Sequence, residues 1–172
     1  MDVLFDDLMP VHYGFVNLVQ GEVDDTGIGR ERAGQTNGLC GARVPGQLAM
    51  VTGLHTGEVP FRVEWSPDPP PVDDVWEDIV EVPYVVAATD LSLQSFESSF
   101  DLTVPETGPH RARYSVAGMD AGRDLDTTDE GESAPDQYLL QLWPAAEAPD
   151  SVVRQTSEIA AYWHRVARGE QR

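Results

Sequence analysis

VPFRVEW, residues Val59–Trp65, alternates apolar and polar side chains, with Phe61, Val63 and Trp65 on one side. A period of two is the pattern of a β-strand with one buried face. A turn sequence, HTGE, precedes this strand, and the run SPDPPP follows it. Prolines fix φ and remove hydrogen-bond donors, so this run predicts a rigid connection between sheet edges. The alternative is a polyproline ligand for a partner's groove.

The same strand pattern recurs along most of the chain. Further predicted strands are His12–Val19, Gln47–Leu54, Val75–Val82, Leu91–Val104, His110–Ala117 and Gln137–Trp143. The glycine-rich stretch Gly21–Gly46 predicts a loop, and turn signals separate the other strands. Many short strands with turns between them favour an antiparallel β-sandwich or barrel. We therefore predict a mainly β fold, an antiparallel β-sandwich.

The C-terminal stretch Asp150–Arg168 has a different period. Its apolar stripe consists of Val152, Thr156, Ile159, Trp163 and Val166. This spacing predicts one C-terminal α-helix that begins at Asp150 or Ser151, ends before Gly169 and buries Trp163.

The predicted organisation is a sandwich domain over 1–146 and a C-terminal helix over 147–172 that packs on it or extends from it. Two alternatives stay open for this helix: a possible homodimer contact, or docking on a larger assembly.

The charge of the chain is its strongest functional signal. Acidic residues number 30 and basic residues 11, every one of them arginine, so the net charge is −19. Such a field repels nucleic acid and anionic membranes and attracts cationic proteins. No apolar run reaches the length of about 20 residues that spans a bilayer, and the N-terminus lacks a basic region, so we expect a cytoplasmic protein.

The acidic segment, defined as Gly118–Asp136, carries seven carboxylates and one arginine. Its predicted partner-binding residues are Asp120, Asp124, Asp126, Asp129, Glu130 and Glu132. Asp124-x-Asp126-x-Thr128 starts like a calcium-binding loop, but the sixth position is Asp129 and the twelfth is Pro135. A loop that only contacts solvent is the remaining alternative.

No residue pattern predicts catalysis, a metal site or a cofactor. Gly118–Gly122 (GMDAG) resembles a nucleophile elbow, but an elbow must turn directly into a helix, and this stretch enters a polar, acidic run instead. The four histidines are far apart in sequence, and Cys40 is the single cysteine, which excludes an intramolecular disulfide. A reactive thiol needs a base and a lowered pKa, so we expect Cys40 to be a small buried side chain.

Three segments together resemble a known family. They are His12-Tyr13-Gly14-Phe15, Glu81-Val82-Pro83-Tyr84 and the closing hairpin from Arg111–Gly118 to Gln137–Pro144. Their order and spacing resemble the competence protein J family, whose named members are DNA-entry nuclease inhibitors. Gly14 stands where the family has glutamine. The resemblance covers Val11–Pro144 and implies a small β-sandwich that binds another protein and has no catalytic residues.

The sequence thus favours a non-enzymatic inhibitor or immunity-type protein that neutralises a basic protein such as a nuclease or toxin. Nuclease clefts are cationic because they bind phosphates, so an acidic surface is steered towards them. The alternative is a calcium- or small-ligand-binding β-sandwich of unknown activity.

Overall fold

A computed structural model describes residues 1–22 and 29–170. Part of the predicted Gly21–Gly46 loop, residues 23–28, lies outside this range. Besides a short 3-10 helix (Arg30–Arg32), the described part forms eleven strands and two α-helices. In chain order they are β1 (Asp2–Val11), β2 (Phe15–Val19), β3 (Cys40–Gly41), β4 (Gln47–Val51), β5 (Gly57–Trp65), β6 (Asp78–Val86), β7 (Asp90–Gln94), β8 (Ser99–Thr103), β9 (Gly108–Ala117), α1 (Met119–Leu125), β10 (Gln137–Pro144), β11 (Ser151–Arg154) and α2 (Glu158–Ala167).

The strands form two sheets, which confirms the predicted mainly β sandwich with a C-terminal helix. The six-stranded sheet has the order β1-β5-β10-β9-β6-β11, and the five-stranded sheet has the order β3-β4-β2-β7-β8. Of the strand pairs in the described residues, β5 and β10 run parallel and the others are antiparallel. The loops around His12, His55, Phe96 and the acidic segment meet at one end of the sandwich. Ring contacts join the first three, and backbone hydrogen bonds join His55 to Asp126.

The core lies between the sheets and is centred on three stacked rings. Tyr114 and Tyr138 stack with their centroids 5.8 Å apart, and Phe61 lies 6.0 Å from Tyr138. The Tyr114 hydroxyl donates a hydrogen bond to the Val51 carbonyl of the other sheet. Burial raises the pKa of Tyr114 well above its usual value, so this hydroxyl keeps its proton.

Several predicted boundaries were wrong, among them the start of the strand predicted from His12, which begins at Phe15. Leu91–Val104 is not one strand: β7 and β8 form a hairpin, which places Phe96 at its tip. The acidic segment is not all loop, because α1 follows β9 at once, and the strand predicted from Val75 begins instead at Asp78. Met119 is fully buried and Gly122 lets α1 pack tightly, since a side chain at Gly122 would meet the carboxylate of Asp136 at 2.5 Å.

The predicted helix from Asp150 was also wrong over its first eight residues, Asp150–Ser157. Residues Ser151–Arg154 extend the six-stranded sheet at β6, and α2 begins only after Ser157, whose side chain accepts a hydrogen bond from the Ala160 N–H. Asp150 does not cap the helix, because its carboxylate accepts hydrogen bonds from Thr36 and Asn37. Long-range hydrogen bonds therefore override the helical spacing of this stretch.

The helix α2 is held tightly against the sandwich. A Cβ on Gly38 would lie 1.9 Å from the Trp163 carbonyl, and the Gly38 N–H donates to Nδ1 of His164 at 3.0 Å. Ile159 and Ala160 are part of the core, and Trp163 packs against it half-buried. Gly169 has φ of +71°, the left-handed conformation predicted for the residue that stops the helix.

Candidate protein-binding surface

The acidic segment is exposed along most of its length. Five of the six predicted contact residues are exposed: Asp124, Asp126, Asp129, Glu130 and Glu132. They follow one another within nine positions of the chain, so they present their carboxylates on one short stretch at the end of the sandwich.

Asp120, the sixth predicted contact residue, is half-buried and positions a helix. Its two carboxylate oxygens accept hydrogen bonds from the N–H groups of Glu158 and Ile159, both at 2.9 Å. These are free N–H groups in the first turn of α2, where the helix dipole also favours a negative charge. Asp120 therefore links α1 to α2, and its predicted role in partner binding stays a prediction.

The last residue of the acidic segment, Asp136, holds the segment to the core through its buried carboxylate. Asp136 is fully buried and accepts hydrogen bonds from the Leu54 N–H at 2.9 Å and from the Tyr138 hydroxyl. The same hydroxyl accepts a hydrogen bond from the Gly53 N–H at 2.7 Å. Burial and the nearby Asp136 charge raise the pKa of Tyr138, so its proton is retained for this bond. The network joins the segment's end to the turn after β4.

A backbone contact fixes the middle of the segment to the same turn. The carbonyl of Asp126 accepts hydrogen bonds from the N–H groups of His55 and Thr56, at 2.9 and 3.1 Å. Asp126 has φ of +65°, an uncommon conformation that aspartate tolerates better than most residues. The exposed carboxylates thus project from a segment whose backbone is held at several points.

Four rings beside the acidic segment form what we call the aromatic patch: His12, Tyr13, His55 and Phe96. Ring centroids are 4.1 Å apart for His12 and Tyr13, 5.1 Å for His12 and Phe96, and 5.5 Å for Tyr13 and His55. Tyr13 and Phe96 are each 58% exposed. Leu125, 47% exposed, immediately precedes the Asp126 carbonyl that binds His55. The acidic and aromatic surfaces are therefore continuous.

Catalytic and metal-binding chemistry finds little support in the described residues. No three His, Cys, Asp or Glu side chains there lie close enough to share a metal ion, so the calcium alternative has no candidate site in residues 1–22 and 29–170. Cys40 is buried, as predicted, and burial raises its pKa to about 12, so the thiol is a poor nucleophile. The GMDAG stretch does turn into a helix, but Asp120 at its centre is already bonded to α2.

A groove of about 630 Å³ lies on the outer face of the six-stranded sheet, beneath the proline-rich connection. Most charged groups that line it are in ion pairs: Arg62 with Asp6 and Glu64, Arg113 with Glu81, and Asp74 with Arg154. Arg113 also donates to the Pro70 carbonyl at 2.7 Å, which ties the proline-rich connection to the sheet. The run SPDPPP thus packs on the sheet and joins β5 to β6, which are interior strands of the same sheet. The predicted connection between sheet edges was therefore wrong.

The chain matches no protein-family model and no curated protein. It is similar to the crystal structure of ComJ from Bacillus subtilis, an inhibitor of the DNA-degrading activity of NucA, with a TM-score of 0.54 and 14% identity. The similarity covers 84% of this chain and 98% of ComJ. The chain has a ComJ-like fold. The product of crocagin biosynthetic gene J shares this fold, with the same TM-score and coverage and 12% identity.

The ComJ-like fold confirms the resemblance noted in the sequence, and at these identities it concerns the fold alone. The sequence indicates the exposed carboxylates, whose role in binding stays a prediction, but it does not indicate the aromatic patch, whose four residues come from three separate turns. Tyr13 belonged to the segment HYGF on which the resemblance rests, yet HYGF was assigned to a strand. The Tyr-Gly pair is the signal that was available, because two-residue turns favour glycine at their second position.

No helix in residues 1–22 and 29–170 is both long and apolar enough to cross a membrane.

Proposed function

We propose that this protein is a non-enzymatic inhibitor that binds a basic, nuclease-like protein through its acidic segment. The observation that carries the proposal is the ComJ-like fold combined with five exposed carboxylates on one anchored segment. The proposed contact residues are Asp124, Asp126, Asp129, Glu130 and Glu132, while Asp120 holds α2 beneath them.

The physical argument is electrostatic complementarity. A nuclease cleft carries positive charge because it must hold phosphates, and a carboxylate-rich surface competes for the same groups. Long-range attraction between opposite charges speeds the encounter, and salt weakens that attraction. Because the segment's backbone is held by Asp136 and by the Asp126 carbonyl, little conformational freedom is lost on binding.

The test is capture of the partner from a lysate of the native host at low salt, followed by a functional assay. We expect the tagged chain to retain a basic protein that degrades DNA. Adding purified chain to that protein is expected to suppress DNA degradation at a stoichiometric ratio. If no protein is captured at low salt, or if the captured protein degrades DNA equally well with the chain present, the proposal is wrong.

A variant pair tests the surface separately from the function. In the first variant, the five proposed contact residues become amides: Asp124→Asn, Asp126→Asn, Asp129→Asn, Glu130→Gln and Glu132→Gln. In the control, five exposed carboxylates outside the acidic segment are changed in the same way: Asp2→Asn, Asp68→Asn, Asp101→Asn, Glu106→Gln and Glu147→Gln. Both variants lose the same net charge. We expect association to slow far more in the first variant, and equal slowing would show that the segment has no special role.

A further inference from the structure

The aromatic patch is an unusual surface for a chain with an ample core. Single exposed apolar residues are common on protein surfaces, but contiguous ones mark interaction sites. Each ring of the patch contacts at least two of the others, and Tyr13 and Phe96 remain more than half exposed. Tyrosine and phenylalanine are enriched at protein interfaces, and tyrosine is enriched among the residues that contribute most of the binding energy.

The backbone under Tyr13 is held in a conformation that a bulky residue rarely adopts. Tyr13 and Gly14 have φ of +64° and +69°, between the paired residues His12 and Phe15, which is the pattern of a type I′ turn. Gly14 is tied to the neighbouring turn by hydrogen bonds from its N–H to the His55 carbonyl and from the Thr52 N–H to its own carbonyl. Strain of this kind at a bulky residue is concentrated at functional sites.

The two imidazoles are fixed through one shared hydroxyl. Oγ1 of Thr56 lies 2.7 Å from Nδ1 of His55 and 3.2 Å from Nδ1 of His12. A hydroxyl has one proton, so it donates to one imidazole and accepts from the other. The backbone N–H groups of His55 and Thr56 donate to the Asp126 carbonyl, so the turn that carries His55 is held against the backbone of the acidic segment.

We propose that the aromatic patch receives an arginine side chain of the basic partner, with its guanidinium against Tyr13 and Phe96 and beside the carboxylates of the acidic segment. This inference rests on the proposed function and names the chemistry by which the same surface recognises its partner. A guanidinium is planar and weakly hydrated, stacks on aromatic faces and pairs with carboxylates. The chain's own excess of carboxylates makes a cationic occupant the complementary one.

The two parts of the surface then have different kinetic roles. Carboxylates attract the partner from a distance and set the association rate, whereas a buried aromatic contact sets the dissociation rate. Loss of a ring is therefore expected to speed dissociation with the salt dependence unchanged.

The direct test needs no natural partner. The full isotope-labelled chain is titrated with the peptide acetyl-Gly-Arg-Gly-amide at low salt, and chemical shifts are followed by NMR. The control peptide contains citrulline, which has the shape of arginine without its charge. We expect chemical-shift changes at the rings and amides of the aromatic patch that saturate at millimolar concentrations of the arginine peptide. The citrulline peptide is expected to give no saturable changes.

Variants assign the binding to the rings. Tyr13→Asn and Phe96→Ser are each expected to lower the affinity for the arginine peptide about two- to fivefold, the range of an exposed cation–π contact. Val85→Ser removes a similarly exposed apolar side chain near the end of β6, at the end of the sandwich away from the aromatic patch. This variant is expected to leave binding unchanged. Thermal unfolding of each variant shows that it is folded.

Shifts spread over carboxylates away from the patch, or equal affinity of all three variants, would overturn the inference. The proposed function fails by a different result, the absence of a captured nuclease. If a captured nuclease is inhibited and the Tyr13→Asn and Phe96→Ser variants leave its dissociation rate unchanged, the inhibitor function stands and the arginine site is rejected.

Discussion

At the scale of single residues, Tyr13 combines a strained backbone conformation with an exposed ring. The left-handed conformation costs an L-residue about 1–2 kcal/mol, and Asn-Gly is the preferred pair for the turn that Tyr13 and Gly14 form. We expect Tyr13→Asn to raise the free energy of unfolding by about 1 kcal/mol, measured by urea denaturation monitored by circular dichroism.

The control for Tyr13→Asn is Tyr13→Phe, which keeps both the ring and the backbone strain. We expect its free energy of unfolding and its affinity for the arginine peptide to equal those of the unmodified chain. A Tyr13→Asn variant that is less stable than the unmodified chain would show that ring contacts with His12, His55 and Phe96 outweigh the strain.

The sequence predicts the interior residues of this fold better than those of the proposed binding surface. Phe61, Val63 and Tyr114 follow a period of two, so their burial is evident before the partner strands are known. The members of the aromatic patch lie in turns, where side-chain direction depends on hydrogen bonds to distant residues. His55 meets Asp126 across some 70 positions, and no local pattern encodes that contact.

At the scale of elements, the C-terminal segment shows how long-range bonds move a boundary. The helical stripe from Val152 to Val166 predicts α2 correctly in its second half. Val152 pairs with Val80 of β6 instead, because the edge of that strand offers unpaired backbone groups and the carboxylate of Asp78 accepts hydrogen bonds from Thr156 and Ser157. The spacing of the apolar side chains predicts a helix, but it does not reveal that a sheet edge competes for the first residues of the stretch.

The docking of α2 is expected to weaken in acid. Burial, and then the charge of Arg168, lower the pKa of His164, against the opposite effect of Asp78 and Asp150. A lowered pKa means that the unfolded chain binds this proton more readily. The stability from neutral His164 is therefore complete above the ordinary histidine pKa of about 6.5 and is lost as pH falls below it. Protonation also removes the acceptor for the Gly38 N–H.

The measurement is the free energy of unfolding between pH 7 and pH 5, for which one proton gives a slope of at most about 1.4 kcal/mol per pH unit. His164→Asn keeps an acceptor and cannot be protonated, so we expect a smaller loss of stability in this variant. His55→Asn, at an exposed histidine, is the control and is expected to behave like the unmodified chain. Equal pH profiles for all three proteins would show that His164 does not couple acid to unfolding.

Below about pH 4 a second group adds to this loss. Burial of the Asp150 carboxylate opposes its ionisation, but hydrogen bonds from Asn37 and Thr36 outweigh burial and lower its pKa. The stability from ionised Asp150 is present above the ordinary aspartate pKa and is lost as pH falls through the lowered value. Asp150 and His164 both hold the C-terminal segment against residues 36–38, so we expect this segment to separate first in acid.

At the scale of the whole molecule, the net charge of −19 acts on folding and on binding with opposite sign. Like charges repel in the compact state, so screening them by salt favours the folded chain. Attraction to a cationic partner is screened in the same way, so salt disfavours the complex.

We therefore expect rising sodium chloride concentration to raise the melting temperature of the free chain, by about 2–4 °C for each kcal/mol of repulsion removed, and to slow association with the captured partner. The variant with five amides in the acidic segment lacks five of these charges, so both salt responses are expected to shrink. In the control variant with amides elsewhere, the melting response should shrink equally and the association response should stay near that of the unmodified chain. A melting temperature that is independent of salt would show that the carboxylates are spaced widely enough not to oppose folding, and the acidity would then matter for encounter alone.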